Sequence, residues 1–193
     1  MLRETLGFII RNFASFLILL LLVRFYMQTA RVSFNQGLGQ FVIKLTNFIV
    51  LPARRLIPSI AGLDMGCLIA AWAIAFCMHW ALLAMTPWPI HFLAPTSLLA
   101  IMLLALLEIF RLSLYLLFTV VVGLAILSWV NLRSPLIPLL VRLSAPFLRP
   151  LRRIMPLIGG IDISPLVLIF LVQLIQSVLV GRVEAKILQL LFM

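Results

Sequence analysis

Fifteen lysines and arginines stand against five acids in this 193-residue chain, so the residues able to do chemistry are few. Two arginine pairs, Arg54/Arg55 and Arg152/Arg153, sit in the same frame, P-x-R-R-x-x-P-x-x-x-G-x-D. Pro52, Pro58, Gly62 and Asp64 complete the first copy, and Pro150, Pro156, Gly160 and Asp162 the second. A guanidinium fork binds planar oxyanions through two hydrogen bonds, so arginine pairs at fixed spacing point to lipid phosphate, a partner carboxylate or another anion. The plainer reading is topology and lipid anchoring, each cation near an anionic surface contributing about 1 kcal/mol. Asp64 and Asp162 read as N-caps of following helices or as partners of these arginines, with ion ligation as the sharper alternative.

Glu108 and Arg111, three residues apart, can pair along one helix face. A structural pair at a membrane boundary is the plainer role, and an ion pathway the sharper one. Lys44, Arg142 and Arg149 add positive charge just before the arginine pairs. His79 beside Trp80, and His91 after Trp88 and Pro89, read as interfacial residues. Cys67 and Cys77 lack metal-ligand or redox spacing and read as core residues, with no disulfide and no metal. No phosphate-binding glycine loop, nucleophile with a base, or carboxylate pair suited to acid and base work is present, so neither enzyme activity nor a cofactor is expected.

The elements that position these residues must lie in a membrane. The chain is 65% apolar and 10% charged, against about 45–50% and about 25% in soluble domains. A hydrocarbon core about 30 Å thick needs about 20 apolar residues in a helix. Four stretches qualify: about Gly7 to Met27, Met65 to Met85, Leu112 to Val130, and Pro165 to Val180. Thr96 to Leu107 reads as a short outer helix or a helical extension of the third span. Arg11 and Arg24, near the ends of the first span, are placed to extend toward water. The two connections rich in arginine and lysine should face the cytoplasm, which puts both termini on the outer side. Nucleic acid is not needed to explain a net charge of +10.

The two basic stretches are also copies of one another. Pro52, Arg54, Arg55, Pro58, Ile60, Gly62 and Asp64 recur 98 residues later as Pro150, Arg152, Arg153, Pro156, Ile158, Gly160 and Asp162. The expected fold class is therefore an all-α integral membrane protein of four transmembrane helices. It is built as a parallel tandem repeat of span, cytoplasmic amphipathic helix with an Arg-Arg turn, and span, over residues 1–93 and 94–193. In the first amphipathic segment Leu38, Phe41, Val42, Leu45, Phe48 and Ile49 line one face, with Gln40, Lys44 and Asn47 opposite. Leu136, Leu139, Leu140, Leu143 and Phe147 repeat the stripe. Ser134 and Pro135 suit an N-cap and a first helical residue. Such helices should rest in the cytoplasmic interface until the prolines break them.

The doubled motif, with Asn35, Gln40, Phe41 and Thr46 before its first copy, resembles the YggT family, called YlmG in some lineages. Gln36 departs from it, standing where the family often has proline. The resemblance covers nearly the whole chain. It implies a bacterial cytoplasmic (inner) membrane protein without known enzymatic activity. Relatives are linked to osmotic-stress tolerance and ion uptake, and in photosynthetic lineages to nucleoid distribution, division or cofactor assembly. The function expected is a scaffold or accessory protein whose basic face binds anionic headgroups or a protein partner. The alternative is an oligomeric ion channel or transporter.

Overall fold

A computed structural model describes residues 1–32, 37–56, 64–86, 95–130, 134–155 and 162–191. Within them every regular element is helical: α1 (Leu2–Thr29), α2 (Gly37–Leu56), α3 (Met65–Ala84), α4 (Pro95–Val130), α5 (Ile137–Ile154), α6 (Ser164–Leu174), a π-helical stretch (Ile175–Val180) and α7 (Gly181–Leu191). Among the described residues four helices are long and apolar enough to cross a membrane: α1, α3, α4 and the continuous helix Ser164–Gln189. The extension before the third span is one helix with it, since α4 runs unbroken through 36 residues, about 54 Å at 1.5 Å per residue.

The core forms where small residues let helices approach. Ala71 and Ala75 of α3 are fully buried among Ile18, Leu21 and Leu22 of α1 and Ala105 of α4. Without a hydrophobic driving force between helices in lipid, such close contact is what dispersion requires. A second cluster joins Leu114 and Val121 of α4, Leu148 of α5, Leu168 and Val172 of α6, and Val180. Met27 and Val32 at the end of α1 pack with Leu139 of α5. That end of α1 closes with Arg31 at φ 51°. The N–H of Val32 donates to Met27 O at 2.9 Å, and that of Arg31 to Gln28 O at 3.0 Å. This pattern satisfies the last carbonyls of a helix through one left-handed residue.

Three expectations about helix ends and the core need correction. Pro52 and Pro150, the first proline of each motif, do not break their helices: Pro52 lies inside α2 and Pro150, like Pro146 before it, inside α5, while Pro58 and Pro156 lie outside the described residues. The three inside helices are exposed, so the carbonyl that each leaves without a donor can be satisfied from outside the fold. The arginine pairs accordingly occupy the last helical turn, where positive charge complements the helix dipole, instead of a turn after it. α5 begins two residues later than expected, with Leu136 at its N-cap position and a proline, Pro138, in its first turn. Ser134 and Pro135 lie in the turn before it, where Ser134 O accepts from the Ile137 N–H at 3.2 Å. Finally, Cys77 is exposed, and only Cys67 is in the core.

Candidate functional site

Each motif closes on itself through an ion pair. Arg54, in the last turn of α2, donates from Nε to Asp64 Oδ2 at 2.9 Å and also from its terminal nitrogen to the same oxygen. Asp64 holds the N-cap position of α3 but makes no side-chain capping bond there; its partners are Arg54 and the Cys67 thiol, 3.2 Å away. In the second copy Arg152 Nε donates to Asp162 Oδ2 at 2.7 Å. Asp162 Oδ1 accepts the N–H of Ser164 at 3.0 Å, so this carboxylate also satisfies the start of α6.

The two pairs differ in burial. The Asp64 side chain is 2% exposed and that of Asp162 31%. Burial opposes ionisation of Asp64, but hydrogen bonds from Arg54 and Cys67 and the charges of Arg54 and Arg24 outweigh it. Its pKa therefore lies below the ordinary carboxylate value. The Arg54 guanidinium is correspondingly raised, chiefly by its bond to Asp64. Asp162 is also lowered, since weak burial yields to Ser164 and Arg152. Gly66 makes the first crossing tight: a Cβ there would lie 3.1 Å from Asp64 Oδ1 and 3.4 Å from Arg54 Cγ.

One functional candidate was not legible in the sequence. Arg24 does not reach toward water; it is 5% exposed and turns inward onto α2. One terminal nitrogen donates to Thr46 Oγ1 at 2.7 Å and to Asn47 Oδ1 at 2.9 Å, while the Thr46 hydroxyl donates on to Val42 O. The expected polar residue Asn47 is thus drawn into the protein. The apolar stripe of α2 also divides. Val42 and Val50 are buried, whereas Phe41 and Phe48 are 55% and 66% exposed and free to meet lipid.

The remaining motif cations point away from these contacts. Lys44, Arg55, Arg142, Arg149 and Arg153 are exposed, and none forms an ion pair among the described residues. No described hydrogen bond or ion pair joins the first arginine pair to the second. Pro58, Ile60 and Gly62, and Pro156, Ile158 and Gly160, lie outside the described residues, as do Asn35, Gln36, Trp88, Pro89 and His91.

At the opposite end of α1, the expected pair forms, with Arg111 3.3 Å from Glu108. Arg111 is shared, however, because Glu184 of α7 binds its other terminal nitrogen. Nearby, His79, Arg11, Glu4 and Glu184 line an open cleft of about 600 Å³. Among the described residues no group of three His, Cys, Asp or Glu side chains is arranged to hold a metal ion.

At the basic end, exposed guanidinium groups, a type of group able to bind oxyanions, stand on helices that are themselves tied to the spans. Comparison with known proteins gives that pattern a family. The CCB3/YggT family model matches residues 4–85 and again 97–183, so each match contains one copy of the motif. YggT of Escherichia coli K12, an uncharacterized protein, is 36% identical over 174 residues, 90% of this chain and 88% of that protein. An uncharacterized protein in the proC 3' region of Vibrio alginolyticus is 32% identical over 86% of this chain and 88% of its own length. For an uncharacterized protein of Pseudomonas aeruginosa the figure is 27%, over 92% and 89%. No solved structure matches. With two model matches and relatives aligned over most of their length, the chain belongs to the CCB3/YggT family.

Proposed function

We propose that this chain is a non-enzymatic scaffold or accessory protein of the bacterial inner membrane, whose basic face binds anionic headgroups or a protein partner. That face is cytoplasmic on this reading, because the arginines and lysines concentrate on the two long connections, and both termini are then periplasmic. The chain is a parallel tandem duplication, residues 1–93 and 94–193, which brings equivalent helices to one membrane face. Osmotic-stress tolerance, or envelope and division organisation, is the setting that the family suggests.

The observation that carries the reading is the division of roles within each arginine pair. Arg54 and Arg152 are tied to Asp64 and Asp162, whereas their neighbours Arg55 and Arg153 are exposed and without an ion partner among the described residues. Topology alone would be served by any cations in these loops. Two arginines held side by side, one fastened and one presented, suit recognition of an oxyanion. Purification in native nanodiscs, followed by mass spectrometry, tests this. A stoichiometric protein, or an enrichment of anionic lipid over the bulk membrane that falls but need not vanish in Arg55→Gln/Arg153→Gln, is expected; the absence of any such enrichment, or one unchanged in that variant, would contradict the proposal.

A second reading, an oligomeric ion channel or transporter, draws on Glu108, Arg111 and Glu184 beside the His79 cleft. Both acids already share the one arginine, which favours a structural network. Ion flux into proteoliposomes, abolished by Glu108→Gln, would reverse that preference.

A further inference from the structure

A groove between the two halves has the chemistry of a phospholipid site. At the basic end, a cleft of about 550 Å³ is lined by Tyr26, Thr29 and Ala30 from the end of α1 and by Arg142, Pro146 and Arg149 of α5. Arg142 and Arg149 are seven residues apart, two turns on one helix face. Both are exposed, neither is ion-paired among the described residues, and no acid lines the cleft. Tyr26 and Phe147 border a second cleft as well, of about 590 Å³, whose wall is α4 with Leu103, Leu106, Phe110 and Leu117, closed on one side by Val183. From Leu117 to Leu103 the wall runs about 21 Å, long enough for an acyl chain to lie along it. Leu106 and Phe110 are 59% and 44% exposed within the fold.

We propose that this groove holds one anionic glycerophospholipid, with its phosphate between Arg142 and Arg149 and an acyl chain along α4. The proposal rests on the reading that α5 lies at a basic membrane face, and it gives that face a defined lipid site. Guanidinium groups bind phosphate oxygens in forked geometry, and basic pockets between membrane helices suit lipid headgroups. A zwitterionic lipid would bring an ammonium group beside two arginines with no acid in the cleft to receive it. Anionic headgroups are therefore preferred. Seated there, the lipid touches α1 of the first half and α4 and α5 of the second, and joins them.

Native mass spectrometry of the full chain, delipidated and titrated with phosphatidylglycerol or phosphatidylethanolamine, tests the site. Wild type should retain one phosphatidylglycerol with at least about tenfold preference. Arg142→Gln/Arg149→Gln should lose that preference, and Ser113→Phe, which fills the groove where Ser113 lines it, should lose retention. Arg55→Gln/Arg153→Gln, outside the groove, should retain the lipid, which separates this site from the wider basic face. Should Ser113→Phe prove misfolded by thermal stability, the exposed double variant decides alone. Undiminished retention in Arg142→Gln/Arg149→Gln, equal loss in the Arg55→Gln/Arg153→Gln control, or a dimer without lipid would each overturn the proposal.

Discussion

Arg54 is bonded to Asp64 ten residues ahead of it, yet the two ends of this ion pair live in different surroundings: the arginine side chain is 45% exposed and the aspartate 2%. The loss of either partner should therefore be unequal. Arg54→Gln leaves a buried carboxylate unpaired and should cost about 2–3 kcal/mol, less than a fully buried pair because water reaches one side. Asp64→Asn leaves an arginine that can be solvated, and should cost about half as much. Thermal unfolding in detergent measures both.

The same pair makes stability depend on pH. The pKa of Asp64 is held below its ordinary value despite burial, so its contribution is fully present above the unfolded carboxylate pKa. It is lost as pH falls through the lower folded value. Wild type should lose stability below about pH 4, and Asp64→Asn should lose less over the same window. Parallel pH profiles of the two proteins would contradict this.

Arg24 fastens α1 to α2 through Thr46 and Asn47. Arg24→Leu removes the donor and should loosen α2 by about 1–3 kcal/mol, seen as faster amide exchange over 37–56 with α3 little changed. A variant whose exchange matches wild type throughout would show that apolar packing alone holds α2.

At the other end, Arg111 pairs with both Glu108 and Glu184, one positive charge between two acids. Arg111→Gln should reduce membrane abundance, because a part-buried pair broken on one side costs about 2–3 kcal/mol, below the full penalty of a buried one. The further changes Glu108→Gln and Glu184→Gln should restore much of it, a non-additivity expected within one network. Strictly additive losses would mean that the three residues act separately.

The spans were legible because about 20 apolar residues in a helix leave little choice in a bilayer, and the Glu108–Arg111 contact because three residues is a helical spacing. Arg24 was not, since a cation near the end of a span looks the same whether it extends to water or turns inward. Its partners lie 22 and 23 residues away and are fixed only by the docking of α2. Glu184 joins Arg111 across 73 residues for the same reason. Proline inside α2 and α5 misled the reading because its cost depends on whether the freed carbonyl is exposed, which hydrophobic pattern does not state.

On the proposal above, Arg55 and Arg153 recognise an oxyanion instead of merely supplying charge. Its most direct test is rescue of a deletion strain under hyperosmotic shock by Arg55→Lys/Arg153→Lys, with membrane abundance checked by immunoblot. Lysine keeps the attraction to anionic lipid but not the forked geometry. Normal abundance with failed rescue is expected, each single variant losing nearly as much as the double. Full rescue by the double lysine variant would contradict it.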